Sequence, residues 1–174
     1  MGIRITVIFF TFLLTAKGIS QVRLSVTPAL VFSVPTSFMG NNDIGFGAQV
    51  GGRVWRNASS FALLTEAGID QFLGNRLCYI RPSGGCATYK PRLIRLMAGP
   101  EYSFNRKISL SFLLGAGRVR NIDATHTEFV VKPGLHARFG TNNRLTTSFS
   151  YTNTFGRQLR FVSLVAGYCI GGNR

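Results

Sequence analysis

Few side chains of this chain have the types and spacing that acid–base or nucleophilic catalysis requires. The chain has two histidines, His126 and His136, and neither has a serine two residues away. Glu128 is the acid nearest to His126, but on a strand these two side chains would point to one side while the hydroxyl of Thr127 points to the other. We therefore predict no catalytic residues, no enzymatic activity and no cofactor.

The first twenty residues have the composition of a secretory signal peptide. Arg4 supplies a positive start, residues 5–14 an apolar stretch, and Gly18 and Ser20 the small side chains at the first and third positions of a cleavage site. An apolar stretch of about ten residues is too short to span a bilayer, which takes about twenty. We expect residues 1–20 to be removed after export and residues 21–174 to form one domain.

An exported protein meets an oxidising compartment, in which cysteines can pair. Cys78 and Cys86 both lie in the longest segment without a strand pattern, and we predict a disulfide between them. Neither histidine lies at metal-ligand spacing from these cysteines, so we predict no metal site. Cys169 is left over and would behave as a small apolar side chain on the last strand.

The dominant pattern after residue 22 is an alternation of apolar with polar or small residues, which is typical of β-strands. Leu24, Val26 and Leu30 fall on one face of the first such segment, and Ser25 and Thr27 on the other. An outer-membrane barrel wall needs this alternation because one face meets lipid and the other a lumen. The predicted strands are 23–34, 44–55, 61–72, 92–104, 107–118, 128–139, 144–152 and 158–170.

The gaps between these strands are alternately long and short. With the N-terminus in the periplasm, the long gaps become outer loops and the short ones become periplasmic turns, as expected of outer-membrane barrels. An even strand count lets the last strand close on the first. We predict an all-β fold, an eight-stranded antiparallel up-and-down transmembrane β-barrel. The predicted outer loops contain 35–43, 73–91, 119–127 and 153–157, and the predicted turns are 56–60, 105–106 and 140–143.

Phenylalanines fall within or at the ends of the predicted strands, where lipid-facing or girdle aromatics would lie in a membrane barrel. In a soluble sandwich the same residues would form the core, so aromatic content alone does not separate these two folds. The opposite face separates them better, because it is small, mixed and sparsely charged, unlike a face in contact with water. The phenylalanines are Phe46, Phe61, Phe104, Phe112, Phe129, Phe139, Phe149 and Phe161.

The mature chain resembles the small eight-stranded barrels of Gram-negative outer membranes, of the OmpX-like or PorT-like type. The resemblance rests on the export signal, the glycine- and aromatic-rich alternating strands, and the ending Ser-Leu-Val-Ala-Gly-Tyr-Cys-Ile at residues 163–170. Such barrels often end on an aromatic residue, whereas Gly-Gly-Asn-Arg follows here at residues 171–174. The resemblance implies a protein of the bacterial outer membrane.

An eight-stranded barrel has an interior that side chains nearly fill, so we expect no open pore. Charges of both signs fall on the lumen side, where a buried charge without a partner costs several kcal/mol. We therefore expect Glu66 and Glu101 to pair with arginines and these contacts to fix the strand register. The predicted lumen charge network is Arg53, Glu66, Arg95, Glu101 and Arg138. The same face carries Gln49, Asp70, Glu128, Lys132 and His136.

The chain is strongly basic, with a net charge of +14. Its basic residues are scattered over strand ends and turns without a cluster of interleaved aromatics, which argues against nucleic-acid binding. At the outer rim, arginines could bind lipopolysaccharide phosphates through paired hydrogen bonds. General electrostatic anchoring in an anionic membrane is the simpler alternative. The predicted rim residues are Arg76, Arg81, Lys90, Arg92, Arg118, Arg120 and Arg157.

These features favour an integral outer-membrane barrel with a structural or surface-interaction role through its loops. Its expected partners are outer-membrane lipid, lipopolysaccharide, and a surface protein or secretion assembly. One alternative is a secreted soluble barrel, lipocalin-like or avidin-like, which would place the apolar stripe inside and the charges outside. A third is an outer-membrane lipid-modifying enzyme.

Overall fold

The computed structural model describes residues 22–36, 44–56, 59–74, 76–78, 86–88, 90–120, 125–156 and 159–171. The predicted signal peptide lies outside these residues. Within them the chain forms β-strands and one short 3-10 turn, Thr141–Asn143. No helix of the described part is long and apolar enough to cross a membrane. The strands are β1 Val22–Pro35, β2 Ile44–Arg56, β3 Phe61–Leu73, β4 Arg76–Cys78, β5 Cys86–Thr88, β6 Arg92–Ser103, β7 Ile108–Arg120, β8 Thr125–Phe139, β9 Leu145–Phe155, β10 Arg160–Tyr168 and β11 Ile170–Gly171.

Eight long strands close into an antiparallel barrel. The order around the wall is β1-β2-β3-β6-β7-β8-β9-β10, and β10 pairs with β1. This closure confirms the predicted all-β, eight-stranded antiparallel barrel, and the predicted strand ends agree to within a few residues. The sequence pattern did not predict the short hairpin β4–β5, which stands apart from the wall inside the longest loop.

The two ends of the barrel differ. One end, here called the turn end, carries both described chain termini and the connections 57–60, 104–107 and 140–144. The opposite end, here called the loop end, carries the remaining connections, including the β4–β5 hairpin. At the turn end Asn142 and Asn143 have φ of 63° and 54° and Gly140 has φ of 77°, and asparagine and glycine tolerate this left-handed backbone best.

Three prolines mark the interruptions of the wall. Pro28 has no N–H to donate, and it stands where pairing between β1 and the last strand stops after Ala29–Gly167 and resumes at Val26–Ile170. Pairing of β6 with β7 is likewise interrupted at Pro100, and pairing of β8 with β9 at Pro133. Each proline still pairs with its other neighbouring strand, and the register is unchanged after each gap. The barrel therefore stays closed despite the missing donors.

The alternation divides the wall into two faces. The outward side chains are apolar and exposed, as with Leu30 at 73% and Leu96 at 67% exposure. The inward side chains are mostly serine, threonine, glycine or charged residues, and they are buried. This is the reverse of a soluble barrel with an apolar interior. It is the arrangement that lipid outside and a polar lumen inside would select.

Aromatic side chains gather near both ends of the outward face. Phe61, Tyr102 and Phe104 stack in sequence at the turn end, with ring centroids 5.0 and 5.2 Å apart. Phe32 contacts Phe46, and Phe129 contacts Phe155, nearer the loop end. Two aromatic girdles flanking an apolar band are typical of transmembrane barrels.

Phe161 is an exception and corrects the prediction that it faces lipid. It lies on the inner face of β10, fully buried, because it shares the parity of Ser163 and Val165. Its ring packs on Phe72 with a centroid distance of 5.1 Å. An apolar contact across the lumen replaces the expected contact with lipid.

Leu96→Arg tests the assignment of the outward face. Leu96 lies between Ala67 and Ala116 on the neighbouring strands. An arginine at mid-depth of a lipid bilayer should reduce the free energy of unfolding by about 2–4 kcal/mol. Val34→Arg, near the loop end of β1, is the control and should cost about 0–1 kcal/mol. Denaturant titration of both variants in lipid vesicles gives the comparison, and equal losses would contradict this depth assignment.

Candidate functional site

Every acidic side chain of the described part faces the lumen. Glu66, Asp70, Glu101 and Glu128 are buried, with exposures between 0 and 6%. The two-residue period of the strands places each of these acids on the inward face. All ten residues that the sequence pattern assigned to the lumen share this inward parity. Within the described part, carboxylate chemistry is therefore confined to the lumen.

The first lumen cluster surrounds Glu66. Its carboxylate accepts hydrogen bonds from Arg95 Nε at 2.9 Å and from Lys132 Nζ at 2.7 and 2.8 Å. Arg95 also forms an ion pair with Asp70. The side-chain carbonyl of Gln49 accepts from Arg95 Nη2 at 2.9 Å and from Lys132 Nζ at 3.2 Å. Two cations thus share two carboxylates and an amide.

The second cluster surrounds Glu101, nearer the turn end. Arg53 and Arg138 both form ion pairs with its carboxylate, and the hydroxyl of Ser109 donates to it. Arg138 Nη2 also contacts Ser109 Oγ at 3.1 Å, and Arg53 Nη2 contacts Ser103 Oγ at 3.2 Å. The five predicted network residues therefore divide between two clusters, with Glu66 and Arg95 in the first cluster and the other three in the second.

Buried ions stabilise a fold only when each has partners of good geometry, because removing ions from water costs several kcal/mol apiece. Arg95, on the neighbouring strand β6, is one partner of Glu66. The other partners come from strands that are not neighbours in the wall: β8 for Glu66, and β2 and β8 for Glu101. The contacts between non-neighbouring strands cross part of the lumen and connect strands that do not pair in the wall. A shift of one residue in any of these strands would carry a charge into the outward face.

Apolar side chains close the lumen towards the loop end. Phe72 and Phe161 form its centre, and all members of the group are between 0 and 8% exposed. Among the described residues this packing places buried apolar side chains across the lumen, consistent with the small bore of an eight-stranded barrel. We call this group the apolar seal. Its members are Phe72, Leu93, Val119, Leu159 and Phe161.

A cavity of about 100 Å³ lies beside the charge clusters and reaches the turn end. Arg53, Glu101 and Arg138 line it, together with Trp55. Its lining extends to Asn142 and to other residues of the turns. The strand pattern of the sequence does not predict this cavity, because the cavity depends on which lumen side chains are small at one level of the barrel.

One serine–histidine contact occurs inside the lumen, between Ser111 Oγ and His136 Nε2 at 2.7 Å. Both residues lie on inward faces of β7 and β8, away from the apolar outer surface. A lipid-modifying enzyme would need its nucleophile where lipid can reach it, so this pair does not support that alternative. Within the described residues no group of three or more histidine, cysteine or acidic side chains could hold a metal ion.

The predicted rim residues are only partly within the described structure. Arg92, Arg118 and Arg120 are exposed on the outward face at the loop end, and Lys90 is exposed beside them. Arg160, which the sequence analysis did not include, is exposed at the same end. The backbone of Arg76 belongs to β4, and its side chain lies outside the described part, as do Arg81 and Arg157.

The cysteines occupy two different places. Cys78 and Cys86 are directly opposite each other across the β4–β5 hairpin, and their side chains lie outside the described part. Such a pairing brings Cα atoms to about 4.5–5.5 Å, which is within the range that a disulfide spans. The disulfide stays a prediction. Cys169 is a free thiol and lines the turn-end cavity.

Several lumen residues that matter were not included in the predicted network. Lys132 contacts Glu66 more extensively than Arg95 does, and Asp70 and Gln49 complete that cluster. Their alternation with outward apolar residues is the signal that places them on the lumen face. Sequence alone could not pair them, because their partners lie on distant strands.

Glu101→Ala and Glu66→Ala test the two clusters. Each removes a carboxylate that two buried cations contact, so each should reduce the free energy of unfolding by up to about 3–5 kcal/mol. Thr65→Ala, next to Glu66 but exposed on the outward face, is the control and should change stability by less than about 0.5 kcal/mol. Denaturant titration in vesicles measures all three. Wild-type stability in both glutamate variants would show that these pairs do not hold the barrel together.

Comparisons with known proteins support the fold. No protein-family model and no curated protein sequence matches the chain. The Yersinia pestis outer membrane protein Ail in a phospholipid bilayer nanodisc aligns with a TM-score of 0.53 at 16% identity, covering 84% of this chain and 99% of Ail. Crystalline Ail in complex with the heparin analogue sucrose octasulfate gives a TM-score of 0.53 at 15% identity, over 86% of this chain and 98% of that one. Neisserial surface protein A gives 0.50 at 13% identity, over 87% and 97%. The chain thus has the fold of the small eight-stranded outer-membrane barrels, as the sequence resemblance implied.

Proposed function

We propose that this protein is an integral barrel of the bacterial outer membrane that presents its loops for surface interaction and has no enzymatic activity. The proposal rests on the separation of the apolar outward face from the charged side chains, which lie in the lumen and near the strand ends. The described outward face holds apolar and small side chains between two aromatic girdles, and its arginines lie only near the ends of strands. Lipid solvates such a surface, whereas water would not, because so large an apolar area drives association.

The orientation follows from the asymmetry of the two ends. Outer-membrane barrels have short periplasmic turns and longer external loops. The turn end would then face the periplasm, and the loop end the exterior. Residues 1–20 would direct export as a cleaved signal peptide, and residues 21–174 would form the inserted barrel domain.

The proposed location is tested by membrane fractionation and by gel migration without boiling. The chain should sediment with outer membranes and migrate faster on SDS gels before boiling than after, because a closed barrel resists unfolding by the detergent. Glu101→Ala, with its weakened lumen, should lose the fast-migrating form at a lower temperature. Recovery of the mature chain as a detergent-free soluble monomer would contradict the proposal and favour the lipocalin-like alternative.

Lipopolysaccharide is the proposed partner of the loop-end rim. Arg92 and Arg120 are directly opposite each other on β6 and β7, and Arg118 lies on the same outward surface. Gln71 orients Arg92 by accepting a hydrogen bond from its Nε at 2.9 Å. Like charges that face each other repel, and the acids of the described part are all in the lumen. An external anion such as a lipid phosphate would relieve this repulsion and accept paired guanidinium hydrogen bonds.

A triple variant, Arg92→Gln, Arg118→Gln and Arg120→Gln, should bind lipopolysaccharide more weakly and with less dependence on salt. Arg56→Gln, Lys107→Gln and Arg144→Gln make the matched control, because this variant removes the same charge at the turn end. Binding of fluorescent lipopolysaccharide to the folded protein in micelles, measured at several salt concentrations, compares them. An equal loss in both variants would mean that only net charge matters, as the simpler anchoring alternative states.

The longest loop is the proposed contact element. Residues 74–91 contain Arg76, Arg81 and Lys90 and no acidic residue, and the β4–β5 hairpin gives the loop its own backbone pairing. A basic loop on a rigid barrel suits a polyanionic partner. Ail, which shares this fold, was crystallised with a heparin analogue. A sulfated polysaccharide is therefore the ligand class that we propose for this loop.

Cells that display the wild-type chain should adhere to immobilised heparin, and deletion of residues 77–88 should remove most of this adhesion. The barrel itself should keep its heat-modifiable migration, because the hairpin stands apart from the wall. Arg76→Gln, Arg81→Gln and Lys90→Gln together keep the loop length and should weaken adhesion for electrostatic reasons. If heparin adhesion is absent in the wild type, a structural role of the barrel becomes the better explanation.

A further inference from the structure

The turn-end cavity has the charge of an anion-binding site. Arg53, Arg106 and Arg138 line it against two carboxylates, Glu66 and Glu101. Glu66 already accepts hydrogen bonds from Arg95 and Lys132 of the first cluster, so it neutralises cations behind the cavity wall. Cationic charge is therefore in excess at the cavity.

The hydrogen bonds at Glu101 also indicate an excess of cationic donors at the cavity. One of its oxygens accepts from Arg53, and the other accepts from both Arg138 and Ser109. Arg138 Nη1 is buried and has no hydrogen-bond acceptor among the described residues. A buried charged donor without an acceptor is costly, and the cavity beside it is where an acceptor can be supplied.

The size and lining of the cavity restrict the acceptor. A volume of about 100 Å³ would hold about three water molecules at their liquid volume of roughly 30 Å³ each, or one small oxyanion group. Asn142, Thr146 and Ser148 add neutral polar groups to the lining. The apolar seal blocks access from the loop end, whereas the lining reaches the turns. Entry is from the turn end.

We propose that this cavity binds the oxyanion group of a small solute, a carboxylate or a phosphate, through Arg138 with Arg53 and the polar residues of the turn end. Arg138 Nη1 donates to the anion, and the guanidinium of Arg53 adds charge from the other side of Glu101. That the solute comes from the periplasm rests on the proposed orientation in the membrane. Binding itself rests only on the geometry of the lumen.

Trp55 makes the proposal measurable. It is the single tryptophan of the chain, it lines the cavity, and Arg53 Cζ lies 4.6 Å from its ring centroid. An anion that draws Arg53 towards itself changes this cation–π contact. The fluorescence of Trp55 therefore reports occupancy without a label.

The experiment titrates the folded, exported chain in neutral detergent micelles with sodium acetate and, separately, with sodium phosphate. Sodium chloride at matched ionic strength is the reference. We expect a saturable change of Trp55 fluorescence with acetate, phosphate or both, and none with chloride. Saturation by acetate alone identifies a carboxylate site, and saturation by phosphate alone identifies a phosphate site. No saturable change with either anion would overturn the proposal and leave a water-filled cavity.

Two variants locate the binding. Arg138→Gln should raise the apparent dissociation constant about tenfold or more, the size of one charge-assisted hydrogen bond. Lys107→Gln, exposed at the same end and outside the cavity lining, removes the same charge and should leave affinity unchanged. Equal affinity of Arg138→Gln and wild type would refute the assignment.

Thr146→Phe covers the case in which Arg138→Gln does not fold. Thr146 pairs with Arg138 across β8 and β9, so a phenylalanine at this position fills the cavity beside Arg138 without changing any charge. The substitution should abolish the saturable fluorescence signal. Retained affinity in this variant would overturn the proposal. Heat-modifiable migration of each sample shows that the barrel is folded, so a failure of anion binding is distinguishable from a failure of the membrane assignment.

Discussion

The structure depends on one electrostatic constraint: a wall that faces lipid cannot carry unpaired charge at mid-depth. The described acids are therefore all in the lumen, where Glu66 and Glu101 each hold two cations. Because alternate residues of a strand face opposite sides, the same constraint determines the register of every strand that contributes a charge. The ion pairs that cross the lumen then connect β2, β3, β6 and β8 into one unit.

Three layers along the lumen give the barrel its closed interior. The apolar seal lies towards the loop end, the Glu66 cluster lies in the middle, and the Glu101 cluster lines the turn-end cavity. An interior with this packing makes a rigid base for loops and not a channel. Rigidity matters for a surface-interaction protein, because loops on a fixed scaffold lose less conformational freedom when they bind.

The distribution of charge also distinguishes the two surfaces of the protein. The acidic residues of the lumen neutralise several basic residues there. The basic residues at the two ends of the barrel are exposed on the surface. An anionic membrane attracts such ends, and the facing pair Arg92 and Arg120 concentrates that charge at the loop end. Basic residues at the two ends of a barrel are the distribution that an anionic membrane on either side would favour.

The sequence by itself determined the local properties: where strands begin and end, and which face each side chain takes. Both follow from a two-residue period that any strand shows irrespective of its neighbours, which is why Glu66 and Glu101 could be assigned to the lumen and Leu30 to the opposite face. The tertiary structure alone decided the partners. Lys132 reaches Glu66 across 66 residues of sequence, Phe161 packs on Phe72 in the apolar seal, and a cavity remains beside Arg138. These contacts depend on barrel closure and on how far distant strands are offset from one another along the barrel axis. The two-residue period of a single strand does not determine such non-local geometry.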